Sequence, residues 1–383
     1  MAKIIKAKIE NLNYRAGKTM KNTKLKEYKL GNFDINEATA SGIVEIDSKN
    51  KIAYSKWVTP KRTRSYPFAR IYDTYSFGGK RITVIPVIKD EGIGAAINKS
   101  NNDRINFITL SWMNLTNVFV ILAWYSGAEK KDEYRITGQK FDIAYVNKKI
   151  KEISEYQFDA HHWNNKHFTE DFVSIYKKAV SSYEKISKEL EVKMHTSQGH
   201  NQFLEKIISS DKTKIDLGKF AVETLGKSKL AAARETFTTH KREFLTENSE
   251  KPIFEMQNNL GGNYYLTSDE IFIDEKSKKV IIQESKNATG GRLPKEADIK
   301  DGLFKILLFS QIKDLKIDDV KYQYSISLKL TGIISSSISL PAEKAAIETF
   351  IKKENFSNSE AKLIIMLDEE AVENKYKIMI TNN

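Results

Sequence analysis

Apolar and polar residues follow two different periods along this chain. Short apolar runs bounded by polar residues, the pattern of buried strands, occur at Ile82–Ile88, Ile105–Leu110 and Asn117–Trp124. From Phe141 the apolar residues instead recur every three or four positions, which is the period of an amphipathic helix. The pattern therefore predicts a buried sheet followed by helices in the first half of the chain.

The second half returns to strands after a run of predicted helices that ends with Lys229–Glu247. Three apolar runs predict strands, a helix follows Pro294, and a fourth strand comes after that helix. A helix at Ala342–Lys353 and closing strands at Leu363–Leu367 and Tyr376–Ile380 complete the pattern. The four predicted strands are Pro252–Met256, Tyr265–Ile273, Val280–Lys286 and Tyr322–Leu330.

The length of 383 residues and the location of the charge predict two domains. Lys and Arg outnumber Asp and Glu by 62 to 50, and the first 100 residues, with 20 basic and 9 acidic side chains, contain nearly all of this excess. Neutralising phosphate supplies much of the affinity of a protein for DNA, so a basic first domain fits DNA recognition. We expect a basic, strand-rich recognition domain with a helical linker at residues 1–195 and a second domain at residues 196–383.

The densest basic segment is Lys51–Arg81, in which Asp73 is the only acidic residue. Pro60 and Pro67 interrupt this segment, so we expect the basic stretch between them to form a loop. Arginine can read guanine in the major groove, and lysine contacts phosphate. The candidate DNA contacts in this segment are Lys61, Arg62, Arg64 and Arg70.

Several classes of protein are excluded by what the sequence lacks. The chain has no cysteine, which excludes disulfides, thiol nucleophiles and cysteine zinc sites. Its longest apolar runs, such as Val118–Tyr125, are too short to cross a membrane, and Met1–Lys6 lacks the apolar stretch of a signal peptide. No GxxxxGK[ST] loop is present, so ATP-driven translocation is not expected. We expect a cytoplasmic protein of a bacterial or archaeal cell that does not contact membranes.

The residues Tyr264–Asn287 predict a β-hairpin that gathers charged side chains. Side chains alternate along a strand, so Glu284 and Lys286 point to one face, and a paired strand can place Asp269 beside them. Mg²⁺ prefers one or two carboxylates together with water and phosphate oxygens. The hairpin is therefore a candidate magnesium site, at which a cation can polarise a phosphodiester and the lysine is within reach of water.

At these residues the chain resembles the PD-(D/E)xK nuclease superfamily, whose largest characterised group is the type II restriction endonucleases. The resemblance consists of Asp269, Glu284 fifteen positions later, and Lys286 at the end of an apolar strand, with Ser268 in the place of the motif's proline. It implies Mg²⁺-dependent hydrolysis of double-stranded DNA that leaves 5′-phosphates. It also implies that Asp269 and Glu284 are metal ligands and that Lys286 orients or activates water.

Some assignments around this site stay open. Asp274, ten residues before the glutamate of the motif, is an alternative metal ligand, although its neighbours have the composition of a turn. In the superfamily a helix before the first strand often contributes another acid, a place that Glu235 or Glu243 can take. The loop Asn287–Arg292 is glycine-rich, so its backbone can approach phosphate, and Arg292 is a further candidate DNA contact.

The sequence as a whole predicts an α/β protein with a restriction-endonuclease-like catalytic core, a mixed sheet flanked by helices, and an N-terminal α+β DNA-recognition domain. The predicted function is that of a type II restriction endonuclease that requires Mg²⁺ and cuts at a specific sequence. The alternatives are a defence or repair nuclease without strict sequence specificity and a non-enzymatic DNA-binding protein. One chain carries one such site, so cutting both strands predicts a homodimer, and a restriction enzyme suggests a companion DNA methyltransferase.

Overall fold

The computed structural model describes residues 4–9, 25–60, 67–94, 102–225, 253–258 and 263–382. The chain is mixed α/β and divides into two compact units. The central unit is Leu25–Lys227, and the split unit combines Met1–Lys24 with Ser228–Asn383. Each unit has its own sheets and its own apolar core.

A five-stranded sheet forms the core of the central unit. Strand β1 (Ile4–Ile9) belongs to the split unit, and the strands of the central unit follow it: β2 (Glu27–Lys29), β3 (Ser41–Glu45), β4 (Lys51–Lys56), β5 (Arg81–Pro86), β6 (Ile88–Asp90), β7 (Asn102–Arg104), β8 (Phe119–Ala123), β9 (Tyr125–Asp132) and β10 (Arg135–Phe141). The sheet has the order β2-β3-β4-β5-β8, in which β3 and β4 are antiparallel and the other neighbours are parallel. Strands β5 and β8 are buried almost throughout, which explains their continuous apolar sequences. The pairs β6-β7 and β9-β10 form two small antiparallel sheets.

Helices make up most of the rest of the central unit. They are α1 (Pro67–Thr74), α2 (Phe107–Leu115), α3 (Ile143–Glu155), α4 (Ala160–Lys166), α5 (Phe172–Leu190), α6 (Gln198–Ile207) and α7 (residues 217–225), with a π-helical turn at His167–Asp171. Aspartates begin two of them, because Asp142 accepts from Tyr145 N and Asp159 accepts from His162 N. Such caps satisfy backbone donors that the first turn of a helix leaves open.

Side chains from α4 and the π-helical turn cover the free edge of β8, and we call them the edge network. Asn164 Oδ1 accepts from Val120 N at 2.7 Å, and Trp163 Nε1 donates to Val120 O at 2.7 Å. His167 Nε2 accepts from Leu122 N at 3.0 Å. An uncovered edge strand exposes unpaired N–H and C=O groups. The helix therefore supplies this edge with the hydrogen bonds that a further strand would make.

The split unit contains two five-stranded sheets. Besides β1, its strands are β11 (Ile253–Asn258), β12 (Asn263–Thr267), β13 (Glu270–Asp274), β14 (Lys279–Asn287), β15 (Ile312–Ile317), β16 (Val320–Lys321), β17 (Gln323–Gly332), β18 (Ile338–Leu340) and β19 (Lys377–Asn382). One sheet has the order β12-β11-β1-β15-β16, and the other has the order β13-β14-β17-β19-β18. In the second sheet β13 and β14 form an antiparallel hairpin, whereas β14, β17 and β19 run parallel.

The helix α8 (Glu296–Ser310) follows β14 and packs on the parallel strands β14 and β17, and β15 and β16 of the other sheet come between α8 and β17 in the chain. It is buried from Ile299 to Phe309, and six of its apolar residues have no exposed surface. Two more helices, α9 (Lys344–Lys353) and α10 (Asn358–Asn374), precede β19. A buried helix of this kind is hydrophobic on every face, so any charged residue within it needs a partner.

Two of the predicted strands are wrong. Ile105–Leu110 lies largely in α2, which begins after Asn106, whose side chain accepts from Thr109 N. Leu363–Leu367 lies within α10, which Ser357 begins with a capping box. Both helices have short apolar runs, and an apolar run alone does not distinguish a buried helix from a buried strand.

The predicted strand Tyr265–Ile273 is also divided in the structure. Its two halves are β12 and β13, which belong to different sheets. The chain changes sheet at Ser268 and Asp269, neither of which belongs to a strand. The candidate metal ligand Asp269 therefore lies at a corner of the backbone, where it follows one strand and precedes another.

The boundary between the units differs from the predicted domain boundary. The prediction divided the chain after residue 195, whereas the central unit continues to Lys227. The prediction also placed residues 1–24 in the recognition domain, whereas β1 pairs in parallel with β11 of the split unit. A partner about 250 residues away leaves no local sign in the sequence, because pairing between distant strands depends on the tertiary fold.

Of the helices in the described ranges, none combines the length and the apolar character that crossing a membrane requires.

Candidate functional site

The hairpin of β13 and β14 is closed by Asp274 at one end. The Ser277 hydroxyl donates to Asp274 Oδ2, and the backbone N–H groups of Ser277 and Lys276 donate to Oδ1. These hydrogen bonds, the hydroxyl's above all, lower the pKa of Asp274. Asp274 pairs with Lys279, five residues before Glu284 on β14. At about 3.4 Å per residue, five residues span roughly 17 Å. Asp274 is therefore the turn residue, at the opposite end of the hairpin from the motif glutamate.

Asp269 lies at the other end of the hairpin, against the last residues of β14. Its Oδ2 accepts from Ser285 N at 2.9 Å. Ser268 before it is fully buried, and its hydroxyl donates to Glu270 O at 3.2 Å. The corner between β12 and β13 thus brings the Asp269 carboxylate to the residue that separates Glu284 from Lys286.

Glu284 and Lys286 lie on the same side of β14, as the alternation of side chains predicts. Lys286 Nζ is 3.2 Å from Glu284 Oε1. Glu284 is only 2% exposed, whereas the side chain of Lys286 keeps 17% of its surface in contact with solvent. The pair therefore lies at the boundary between the apolar core and the surface, with the lysine on the outer side.

Helix α8 adds two charged residues, Asp301 and Lys305, to this pair. We call the group of Asp269, Glu284, Lys286, Asp301 and Lys305 the charged cluster. Asp301 Oδ2 is 3.0 Å from Lys286 Nζ, and Lys305 Nζ is 2.6 Å from Glu284 Oε2. Both α8 residues are less than 9% exposed. Asp301 and Lys305 are four positions apart, so one face of the helix presents both to β14.

Asp301 and Lys305 were not among the predicted site residues, although the sequence contains a signal for them. Both interrupt the apolar run of α8, and two charges four positions apart in a buried helix share one face. Lys305 is only 3% exposed. Lys300 is also buried and pairs with Glu296 at 2.7 Å.

A glycine on α8 makes room for the side chain of Lys286. A Cβ atom built on Gly302 would lie 3.2 Å from Lys286 Cε and 2.8 Å from Leu328 Cδ1. Contacts below 3.0 Å do not occur between real side chains without movement. Because position 302 has no side chain, Lys286 can cross the helix to reach Asp301.

The chemistry of the charged cluster fits a divalent cation. Its three carboxylates and two ammonium groups leave one net negative charge. Glu284 Oε2 is buried and makes no hydrogen bond, since the nearby Lys305 ammonium lies outside hydrogen-bond geometry. In the described ranges no group of three or more His, Cys, Asp or Glu side chains is close enough to hold a metal. A cation here would thus be held by one or two carboxylates and otherwise by water, as Mg²⁺ commonly is.

The predicted DNA contacts have different environments. Lys61, Arg62 and Arg64 lie outside the described residues, as do Glu235 and Glu243. Arg70 is half-buried on α1, where its Nη1 donates to Lys56 O at 2.6 Å and burial lowers its pKa. It therefore ties α1 to β4 within the central unit.

Arg292 lies in a loop that is anchored beside the charged cluster. The residue is exposed, but its main chain lies against Gly332, where a Cβ atom would come within 2.0 Å of Arg292 O. Ala288 N donates to Thr331 O at 2.8 Å, and Ile333 N donates to Gly291 O at 2.9 Å. These bonds hold the loop after Lys286 to the end of β17 and leave the Arg292 side chain exposed.

The chain was compared with protein-family models, with curated proteins and with solved structures, and it matches none of them.

Proposed function

We propose that this protein is a Mg²⁺-dependent endonuclease that hydrolyses phosphodiester bonds of double-stranded DNA, in the manner of a type II restriction endonuclease. The observation that carries the proposal is the charged cluster, in which Glu284 and Lys286 lie 3.2 Å apart and Asp269 is bonded to the residue between them. Carboxylates beside an ammonium group at the edge of a sheet are the parts that metal-assisted phosphodiester hydrolysis needs.

The topology around the cluster supports the same proposal. The hairpin of β13 and β14 is followed by α8, which packs on β14, and later by β17, which runs parallel to β14. The resemblance to the PD-(D/E)xK nucleases implies a helix and then a strand after the ExK strand, and here β15 and β16 of the other sheet lie between α8 and β17. A restriction-endonuclease-like core in the split unit is therefore part of the proposal.

Each residue of the motif has a role in the proposed reaction. Asp269 and Glu284 would hold Mg²⁺, which when bound polarises the scissile phosphodiester and lowers the pKa of water. Lys286, partly exposed and held by Asp301, would orient the attacking water and stabilise the negative charge that develops on phosphate. Asp301 touches the lysine rather than the DNA, so it acts as a positioning residue.

The basic character of the chain supports DNA as the substrate. Of the net charge of +12, the central unit carries +7, from 32 Lys and Arg against 25 Asp and Glu. We propose that this unit recognises the DNA sequence and that a homodimer cuts both strands. A companion methyltransferase that protects the same sequence belongs to this proposal.

Incubating the purified chain with plasmid DNA, with Mg²⁺ or with EDTA, tests the proposed function. Discrete fragments with 5′-phosphate ends that appear only with Mg²⁺ are expected. A smear would support a nuclease without strict specificity. Intact plasmid that is nevertheless retarded on a gel would support a DNA-binding protein without catalytic activity and would refute the proposal.

A further inference from the structure

Lys305 is a buried lysine whose charge is compensated by a single carboxylate. Its side chain is 4% exposed, and along α8 it lies among fully buried apolar residues such as Phe304 and Ile306. In the described part of the chain its acidic partner is Glu284, at 2.6 Å. An ammonium group taken out of water is costly unless several partners replace its hydration. One misaligned carboxylate does not replace that hydration well.

The two lysines of the charged cluster differ in what would remain if Glu284 turned to another partner. Lys286 bridges Glu284 Oε1 and Asp301 Oδ2, so it would keep Asp301 at 3.0 Å. Lys305 would keep no acidic partner within ion-pair distance among the described residues. A cation that binds Glu284 therefore competes with Lys305 far more than with Lys286.

We propose that Lys305 is a built-in counter-ion of Glu284 that a divalent cation must displace or outweigh when it binds. This inference rests on the proposed function, because it takes Glu284 as a ligand of that cation. Without the cation, Lys305 compensates the Oε2 side of a carboxylate that is 2% exposed, whereas Lys286 pairs with Oε1. With the cation, both positive charges face the same carboxylate, so Lys305 lowers the affinity for metal.

Titration of Mn²⁺ into the full chain without DNA, followed by calorimetry, tests this inference. Replacing Lys305 with methionine keeps the length of the side chain and removes its charge. Lys305→Met should bind Mn²⁺ at least about tenfold more tightly than the unmodified chain, since it removes a like charge beside the ligand. An unchanged or weakened affinity in a folded Lys305→Met protein would overturn the inference.

Lys300→Met is the matched control. Lys300 lies on the same helix, is also buried and pairs with Glu296 rather than with Glu284. Its replacement should leave Mn²⁺ affinity unchanged, and an equal gain in affinity would show that loss of any positive charge on α8 suffices. Such a result would overturn the specific role of Lys305.

Further variants connect the effect to Glu284 and guard against misfolding. The gain in Mn²⁺ affinity should disappear when Lys305→Met is combined with Glu284→Gln. A gain in affinity that persists in the double variant would overturn the proposal. If circular dichroism shows that Lys305→Met does not fold, Lys305→Gln provides the same comparison with a polar side chain.

The nuclease proposal and this inference can fail separately. If the plasmid is cut with Mg²⁺ but Lys305→Met and the unmodified chain bind Mn²⁺ equally well, the nuclease proposal is supported and the counter-ion inference is refuted. If Lys305→Met binds Mn²⁺ more tightly but the plasmid stays intact, the counter-ion inference is supported and the nuclease proposal is refuted.

Discussion

The two units of this protein hold their buried polar side chains in different ways. In the central unit, Asn164, Trp163 and His167 bind main-chain groups of β8 and so join a helix to a strand. In the split unit, the charged cluster joins side chain to side chain, as in the contacts of Lys286 and Lys305 with Glu284. The first arrangement completes a sheet edge, and the second concentrates charge.

This difference indicates what each group of residues contributes. A bond from a side chain to a buried main-chain group satisfies a donor or acceptor that the fold would otherwise leave open, so it contributes to stability. Buried ion pairs often stabilise a protein no more than apolar residues of similar size would. We therefore expect substitutions in the edge network to lower stability and substitutions in the charged cluster to lower activity.

The largest expected effect comes from Lys286. Lys286→Met should reduce plasmid cutting by at least about 10³-fold, because it removes the cation that would stabilise developing charge on phosphate. Its affinity for DNA in Ca²⁺ should change little. A variant that still cuts at the normal rate would show that the cluster is not catalytic, and Lys329→Met on the neighbouring strand β17 is the control.

The second prediction concerns the loss of stability of the central unit at acid pH. Burial, together with the positive charge of Arg104, lowers the pKa of His200 from 6.5 to about 4. The unfolded chain then binds more protons than the folded chain between pH 6.5 and 4. The contribution of His200 to the free energy of unfolding should therefore be fully present above pH 6.5. It should decrease by up to about 3 kcal/mol as the pH falls through this window.

Urea unfolding at pH 7 and pH 4.5 measures this loss. All four tryptophans, Trp57, Trp112, Trp124 and Trp163, lie in the central unit, so their fluorescence reports on it selectively. His200→Gln should flatten the pH dependence in part, because burial also lowers the pKa of His167. An equally steep dependence in His200→Gln would contradict the assignment to His200.

The third prediction concerns the removal of one side chain from the edge network. Asn164→Ala leaves Val120 N and Val118 O without their partner, so the central unit should lose about 2–4 kcal/mol of unfolding free energy. Tryptophan-detected urea unfolding measures this loss. At temperatures where the variant is folded, plasmid cutting should be unchanged. Loss of cutting without loss of stability would remove the distinction between the two groups of residues.

The smallest expected effect is at Gly302. In Gly302→Ala the new Cβ atom would press on Lys286 and Leu328, so cutting should decrease about tenfold. Helix propensity favours alanine by about 1 kcal/mol, which should offset most of the steric cost to stability. Gly127→Ala, where a Cβ atom meets nothing within 4 Å, is the control for the assay. Equal rates for both variants would show that Lys286 does not need the space.

The hairpin with Glu284 and Lys286 could be predicted because its signals are local. A period of two determines which side chains share a face, and the residues from Asp274 to Ser277 have the composition of a turn. Helices with polar caps and charged outer faces, such as α3 and α5, could be predicted for the same reason. Short apolar runs were ambiguous, so α2 and part of α10 were taken for strands.

The rest of the candidate site depends on contacts between distant residues. Asp269 reaches β14 because the chain changes sheet at Ser268, and nothing in the neighbouring residues indicates that corner. Asp301 and Lys305 join the cluster because α8 packs on β14 and β17. Their spacing could have indicated a shared face, but it does not identify the strand that they contact.

The most direct measurement of the central claim is a parallel plasmid digest by Glu284→Gln and Glu370→Gln in Mg²⁺. Both replace a buried glutamate of the split unit with its amide, but Glu370 lies on α10 and accepts a hydrogen bond from Tyr376 Oη at 2.8 Å. The proposed function predicts that Glu370→Gln cuts like the unmodified chain and that Glu284→Gln does not cut. Equal cutting by the two variants would contradict it, because the charged cluster would then have no part in the reaction.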